Sequence, residues 1–137
     1  MYKSLVLLLV SLFCCYVNAD EAPEVLFETL IKTSKSWDGK DLPKYSDGTP
    51  EITILKVVVP PGAVVQKHEH PVINAAVIVA GEITVVSELE DEVVLRAGDS
   101  VVELVNTVHY GTNTGSTNAE LLVFYAGVKG KPLSIKK

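Results

Sequence analysis

The fold of this chain is decided by the stretch GAVVQKHEH at residues 62–70. Valine is enriched in β-strands, and side chains two residues apart on a strand point to the same face. His68 and His70 are therefore predicted to project side by side, while Glu69 faces the opposite way. A third histidine, His109, follows on a later predicted strand. Imidazole is the commonest metal ligand in proteins and three imidazoles suffice for an open site, so the pattern predicts a metal site in a β-rich domain.

Short apolar runs separated by turn residues continue on both sides of this stretch. From residue 51 onward the runs consist mainly of Val, Ile and Leu, and Gly or Pro interrupts them at regular intervals. Many short strands without a helical period indicate an antiparallel all-β sandwich or barrel. The predicted strands are 52–59, 64–70, 73–79, 82–87, 92–95, 100–104, 109–112 and 119–126, with an earlier one at 25–31.

The first 19 residues have the three parts of a secretory signal peptide. A basic start at Lys3 precedes an apolar run from Leu5 to Val17, and small residues precede a cut after Ala19. The apolar run is shorter than the roughly 20 residues that a membrane-spanning helix needs. An uncleaved membrane anchor is the alternative. We predict a secreted or periplasmic protein whose mature chain begins at Asp20.

Both cysteines, Cys14 and Cys15, lie in this leading segment, so the mature chain would have no thiol ligand and no disulfide. The formal net charge of −5 becomes −6 on cleavage, because residues 1–19 contain one lysine and no acid. This acidic balance argues against nucleic acid and anionic membranes as partners. We predict a signal peptide at 1–19, an N-terminal strand and loop segment at 20–50 that packs on a barrel at 51–128, and a C-terminal tail at 129–137.

Two spaced motifs resemble those of the cupin superfamily. The first runs from Gly62 through the histidine pair to Asn74, and is similar to the family's G, five residues, H-x-H, three or four residues, E. The second runs from Gly98 through His109 to Asn113, and is similar to G, five residues, P-x-G, two residues, H, three residues, N. The chain looks most like the small exported single-domain cupins. The resemblance implies an all-β jelly-roll β-barrel whose inward side chains enclose a cavity.

The resemblance also implies that His68, His70 and His109 bind one divalent metal ion, with Fe, Mn, Zn and Cu all compatible with imidazole. Asn74 departs from the family pattern because it stands where the family has glutamate. A neutral amide leaves the positive charge of the ion uncompensated, so the site is predicted to hold metal less tightly and to attract a small polar or anionic molecule. Glu103 is the one acid that could replace the missing carboxylate, and the turn after it leaves its direction open.

Alternation along the strands supplies two more candidate site residues. Asn74 shares a strand face with Ala76 and Ile78, which makes it a possible fourth ligand or pocket residue. Gln66 lies two residues before His68 and four before His70, so regular alternation places all three side chains on one face of the strand. Its side chain is therefore predicted to point into the cavity as a hydrogen-bond donor. Asn106 stands where the second motif has its second glycine, and asparagine tolerates the left-handed conformation that glycine supplies there.

Three functions are compatible with this sequence. The first is a metalloenzyme acting on a small molecule, for example a dioxygenase, with no dedicated general base visible. The second is a non-catalytic cupin that binds a small ligand or a metal. The third is a purely structural barrel whose histidines form hydrogen bonds in a polar core. Separately, the apolar stretch at 25–31 predicts a homodimer formed by adding a strand to a sheet edge.

Overall fold

The computed structural model describes residues 22–137. The predicted signal peptide, its cleavage site and both cysteines therefore lie outside the described residues. No helix in this described part of the chain is long and apolar enough to cross a membrane.

Residues 22–137 form two antiparallel sheets, which confirms the predicted all-β jelly-roll architecture. One sheet has four strands in the order β1-β8-β3-β6, and the other has five in the order β5-β4-β7-β2-β9. The strands are β1 (Pro50–Val59), β2 (Val64–Glu69), β3 (Ile73–Ala80), β4 (Glu82–Ser87), β5 (Glu92–Arg96), β6 (Ser100–Val102), β7 (His109–Thr112), β8 (Ala119–Val128) and β9 (Ile135–Lys136).

The core lies between the two sheets and follows the alternation of the sequence. On β3, Ala76 and Ile78 are buried while Val79 on the opposite face is 52% exposed. The cluster of buried aliphatic side chains draws on both sheets, with Val123 from β8 in one sheet and Val85 from β4 in the other. Because one face of each strand is apolar, packing the two inner faces removes that surface from water and closes the barrel.

The strand predicted at residues 25–31 is not formed. The segment makes no ladder in the described chain, and its five large apolar side chains are 43–94% exposed. A strand needs a hydrogen-bonded partner as well as apolar residues, and this segment pairs with no strand of the described chain, so strand propensity alone does not decide its structure. The following loop is attached to the barrel at Trp37, which packs against the core and whose backbone N–H donates to the carbonyl of Val102 at 3.0 Å.

The C-terminal tail returns to the barrel, where residues 135 and 136 form β9. Ile135 pairs with Glu69 and Lys136 pairs with His68. The ammonium of Lys137 lies 3.1 Å from the carboxylate of Glu69 on the outside of β2. The tail therefore covers the edge of the strand that carries two of the three histidines.

Candidate metal centre

The structure brings the three histidines together at one end of the barrel interior. His68 on β2 lies directly opposite His109 on β7, and His70 follows at the end of β2. Their ring centroids are 4.5–5.1 Å apart. One nitrogen from each ring lies within 4.8 Å of the other two, so the three side chains form a cluster that could hold a metal ion.

Backbone carbonyls fix the orientation of all three rings. The Nδ1···O distances are 2.7 Å for His68 to Gln66, 2.9 Å for His70 to Leu133 and 2.9 Å for His109 to Thr107. A carbonyl only accepts hydrogen bonds, so each Nδ1 carries the hydrogen, and in a neutral imidazole the lone pair is then on Nε2. Carbonyls that accept from the distal nitrogen are the usual supports of metal-binding histidines.

The Nε2 atoms of the three rings face one another, and in this tautomer none of them carries a hydrogen that could form a hydrogen bond between the rings. Those of His68 and His70 are 3.2 Å apart, although both are acceptors in the tautomer set by the carbonyls. Burial lowers the pKa of each ring, in the case of His70 to about 4, so protons do not fill the gap at neutral pH. Lone pairs at this separation repel each other, and a cation among them turns the repulsion into attraction. The donor set therefore fits a metal ion.

The carboxyl group of Glu103 lies next to this cluster. The structure thereby gives the direction of the Glu103 side chain, which the sequence left open. Its Oε2 lies 3.5 Å from Nε2 of His109 and has no hydrogen-bond partner among residues 22–137. Burial raises the pKa of Glu103 to about 7. The backbone N–H of Glu103 donates to the carbonyl of Asn74 at 3.1 Å, which holds the acid next to β3 as the chain leaves β6.

The inward direction predicted for the Gln66 side chain is wrong, because β2 contains a β-bulge. Val65 pairs with Gly111 and His68 with His109, so three steps on β2 oppose two steps on β7. The extra residue reverses the parity: Val65 and His68 both line the cavity, and the Gln66 side chain is exposed. Gln66 still serves the site through its carbonyl, which holds His68.

Asn74 lies on the interior face of β3, as alternation predicted, but it does not line the cavity of the histidine cluster. It is 1% exposed, and in the described part of the chain neither atom of its side-chain amide has a hydrogen-bond partner. It pairs across the sheet with Tyr125, whose ring centroid is 5.5 Å from that of His70. An unsatisfied buried amide costs about 1–3 kcal/mol. A role as fourth ligand stays a prediction.

Tyr125 is a cavity residue that the sequence reasoning missed. Its ring lies against His70, and burial, reinforced by the negative charge of Glu103, raises the pKa of its phenol to about 12. The signal was present in the sequence, because Leu121, Val123 and Tyr125 share one parity on a strand that had been identified. The tyrosine therefore offers a protonated hydroxyl to the cavity.

The cavity has a volume of about 90 Å³ and lies between the sheets. Its polar lining consists of the three histidines, Glu103 and Tyr125, and the remaining lining is aliphatic apart from Gly111. The arrangement combines three imidazole nitrogens that could hold a metal ion, a carboxyl group and a phenol in one small space.

The cupin-domain family model matches residues 55–125, slightly over half of the chain. The matched range includes the three histidines, Glu103 and Tyr125. Among curated protein sequences, none matches this chain.

Solved structures with a similar fold include two enzymes. One is a recombinant oxalate oxidase in complex with glycolate, with 22% identity and a TM-score of 0.54. The other is the DMSP lyase DddQ from Ruegeria pomeroyi DSS-3, with 24% identity and a TM-score of 0.55. The matches cover 62% and 63% of this chain but 45% and 43% of those chains, so the chain spans less than half of their length.

An RmlC-like cupin from Shewanella frigidimarina NCIMB 400 is also similar, with 24% identity and a TM-score of 0.50. That match covers 58% of this chain and 69% of the other. At these identities the likeness to solved structures shows the shared fold alone.

Proposed function

The chain belongs to the cupin family, and on that premise we propose that it binds one divalent metal ion through Nε2 of His68, His70 and His109. The convergence of three lone-pair nitrogens, each oriented by a carbonyl on its Nδ1, is the observation that carries the proposal. Iron, manganese, zinc and copper all accept such ligands. A bound ion would supply Lewis acidity and an open position for a small molecule.

Glu103 takes over the charge role that Asn74 cannot fill. Three neutral imidazoles leave the two positive charges of a divalent ion uncompensated, and a carboxylate at Glu103 offsets one of them. The remaining positive charge favours a small polar or anionic molecule as the ligand. Asn74 as the fourth ligand is the alternative, and substitution at both positions separates the two.

We propose a metalloenzyme of the dioxygenase type as the function. The supporting observation is that the cavity contains groups able to hold or move a proton beside the ion. Glu103 is a buried carboxyl group whose Oε2 has no hydrogen-bond partner within the described residues, so it is placed to accept a proton beside the ion. Tyr125, whose pKa is raised to about 12, keeps its proton, so its hydroxyl is available as a hydrogen-bond donor to a bound molecule. These groups favour catalysis over a purely structural barrel, in which facing lone pairs would be a cost without a gain.

Metal analysis of protein purified from its native compartment, without a polyhistidine tag, tests this function. Stoichiometric iron together with oxygen uptake is the expected result for a dioxygenase. Zinc without turnover would replace the proposal with the alternative, a non-catalytic cupin that binds a small ligand or metal. Protein that neither carries a metal nor takes one up would support the structural barrel.

We also propose a homodimer in which residues 25–31 of one copy pair along β1 of the other. β1 is an edge strand of its sheet in the described chain, ten residues long, and Ile52, Ile54 and Val58 on it are 45–69% exposed. A long open edge with exposed apolar side chains is normally covered. The same chain presents an uncovered apolar segment, so a second copy satisfies both surfaces at once.

Sedimentation of the parent and of Phe27→Asp tests this dimer. The parent should sediment as a dimer at micromolar concentration, and the variant as a monomer. Leu89→Asp is the matched control, because Leu89 is also exposed but lies on the turn between β4 and β5. A monomeric parent at high micromolar concentration would remove the dimer.

Export remains a proposal that rests on the three-part pattern of residues 1–19. The mass of the intact exported protein tests it, and should correspond to a chain that begins at Asp20. A species that retains Cys14 and Cys15 would contradict both the cleavage site and the thiol-free mature chain.

A further inference from the structure

The cavity is polar at one end and aliphatic at the other. On β7, His109 faces His68 of β2, and two residues further along Gly111 faces Val65 of β2 and Val85 of β4. A strand advances about 3.4 Å per residue, so this aliphatic level lies roughly 7 Å from the histidines. Strand geometry thus separates a polar level from an aliphatic level.

The opposite wall repeats the same division. On β8, Tyr125 lies beside His70, while Val123 and Leu121 succeed it at two-residue steps and also line the cavity. Leu121 pairs with Val57 of β1, another lining residue. Moving away from the histidines, both walls therefore offer only aliphatic contacts.

The cavity holds no cation of the protein's own. Among the lining residues of the described chain there is no lysine or arginine, and the acid is Glu103 at the polar end. A second carboxylate on a ligand would therefore meet valine and leucine carbon, or the carboxyl group of Glu103. Burying a charge without a partner is strongly unfavourable.

The size of the cavity limits the ligand further. An engineered cavity of about 150 Å³ holds a benzene molecule, so a space of about 90 Å³ takes something smaller than a benzene ring. A short aliphatic chain of a few carbon atoms fits this limit, with its polar group at the histidine end.

We infer that the ligand of this site is a short amphipathic molecule: one metal-binding group with at most one negative charge, followed by an aliphatic tail of a few carbons. The inference rests on the proposed metal site, which supplies the partner for the polar group. It excludes small dicarboxylates as preferred ligands, since their second carboxylate would lie against the aliphatic wall.

Titration of cobalt(II)-loaded protein with acetate, butanoate and succinate tests this ligand class, with visible absorption of the cobalt as the readout. Butanoate and succinate have the same four-carbon length and differ at the far end, a methyl group against a carboxylate. Each buried methylene contributes about fourfold in affinity, so butanoate should bind on the order of tenfold more tightly than acetate. Succinate should bind at least about tenfold more weakly than butanoate, because its far carboxylate has no partner.

Succinate binding as tightly as butanoate, or no gain from acetate to butanoate, would overturn the ligand class while leaving the metal site intact. Failure of the parent protein to take up cobalt would remove the metal site and the ligand class together. Metal analysis after each titration shows that the cobalt has stayed in the protein.

Val123→Lys gives an independent check, since it places a cation in the aliphatic wall. It should reverse the order, with succinate binding more tightly than butanoate. Val123→Met is the matched control, because it has an unbranched side chain of nearly the same length without the charge, and it should keep the order of the parent. An unchanged order in a folded, cobalt-loaded Val123→Lys protein would contradict the charge argument.

Discussion

Strands β2 and β3 both direct polar side chains into the barrel, but only β3 follows the alternation of its sequence from its start through Ile78. β3 pairs with β8 in unbroken register from Ile73 to Ile78, and Asn74 is buried as predicted. β2 has a bulge between Val65 and His68, and the Gln66 side chain is exposed. Alternation therefore identifies inward residues where a ladder is continuous, and fails after an inserted residue.

The two strands also differ in how their polar groups are supported. His68 on β2 and His70 directly after it have their Nδ1 atoms held by backbone carbonyls, whereas the amide of Asn74 on β3 has no hydrogen-bond partner among the residues that the structure describes. An imidazole whose Nδ1 is held by a carbonyl is already oriented to bind an ion through its other nitrogen. A buried amide without a hydrogen-bond partner lowers the stability of the fold. The comparison favours β2 and the residue after it as the source of the proposed metal ligands, and β3 as an element that contributes mainly packing.

The largest expected effect is that of His70→Ala, directly after β2. Loss of a ligand should lower metal affinity by more than about a hundredfold, since loss of an outer hydrogen-bond partner alone costs 10–100-fold. Calorimetric titration of the apo protein with Fe(II), Mn(II) and Zn(II) measures this. Glu69→Ala is the control, because Glu69 lies outside the cavity beside Lys137 and should leave affinity unchanged. Equal affinities in His70→Ala and the parent would show that His70 is not a ligand.

The substitution Glu103→Gln should stabilise the apo protein at high pH and weaken its binding of metal. Because burial raises the pKa of Glu103 from 4.5 to about 7, its ionisation destabilises the apo parent progressively as the pH rises through that range. At about pH 8 the variant should therefore be more stable by up to about 3 kcal/mol, and below pH 4.5 the two should match. Metal affinity should fall about tenfold, because the ion loses a nearby carboxylate.

Thermal unfolding of the apo proteins at several pH values measures the change in stability caused by Glu103→Gln. A metal titration measures the change in metal affinity. The exposed acid Glu88, on the turn after β4, supplies the control variant Glu88→Gln, which should show neither effect. A Glu103→Gln protein that is less stable than the parent at high pH, or that binds metal equally well, would mean that this carboxyl group is not poised at the ion.

The substitution Asn74→Leu tests whether Asn74 on β3 contributes to packing and not to metal binding. Replacing an unsatisfied buried amide by an aliphatic group of similar size should be neutral or should stabilise the apo protein by about 1 kcal/mol. Metal affinity should change by less than about tenfold, because Asn74 does not line the cavity. A loss as large as that of His70→Ala would instead make Asn74 the fourth ligand. Chemical denaturation and metal titration provide the two readouts.

Gln66→Ala should have the smallest effect of the series. The variant keeps the backbone carbonyl that holds His68 and removes only an exposed side chain, so metal affinity should stay within about twofold of the parent. A tenfold loss in the same titration would place the Gln66 side chain in the site and contradict the bulge.

Much of the barrel was predictable because its strands and turns are determined by residues that are close together in the sequence. Period-two alternation located the strands, the spacing of the two motifs located the three histidines, and Asn106 adopts the left-handed conformation expected of it, with φ of 54°. The direction of Glu103 was not predictable, because it depends on how a turn is held against β3. The bulge and β9 were missed for a similar reason, since both arise from pairing between distant parts of the chain.

Anomalous diffraction from crystals of the zinc-loaded protein, collected at the zinc edge, tests the central claim most directly. One anomalous peak is expected inside the barrel, about 2.0–2.1 Å from Nε2 of His68, His70 and His109. Each Nδ1 should remain on its backbone carbonyl. A zinc-loaded crystal with no peak among these three nitrogens, or with the ion bound through Nδ1, would contradict it.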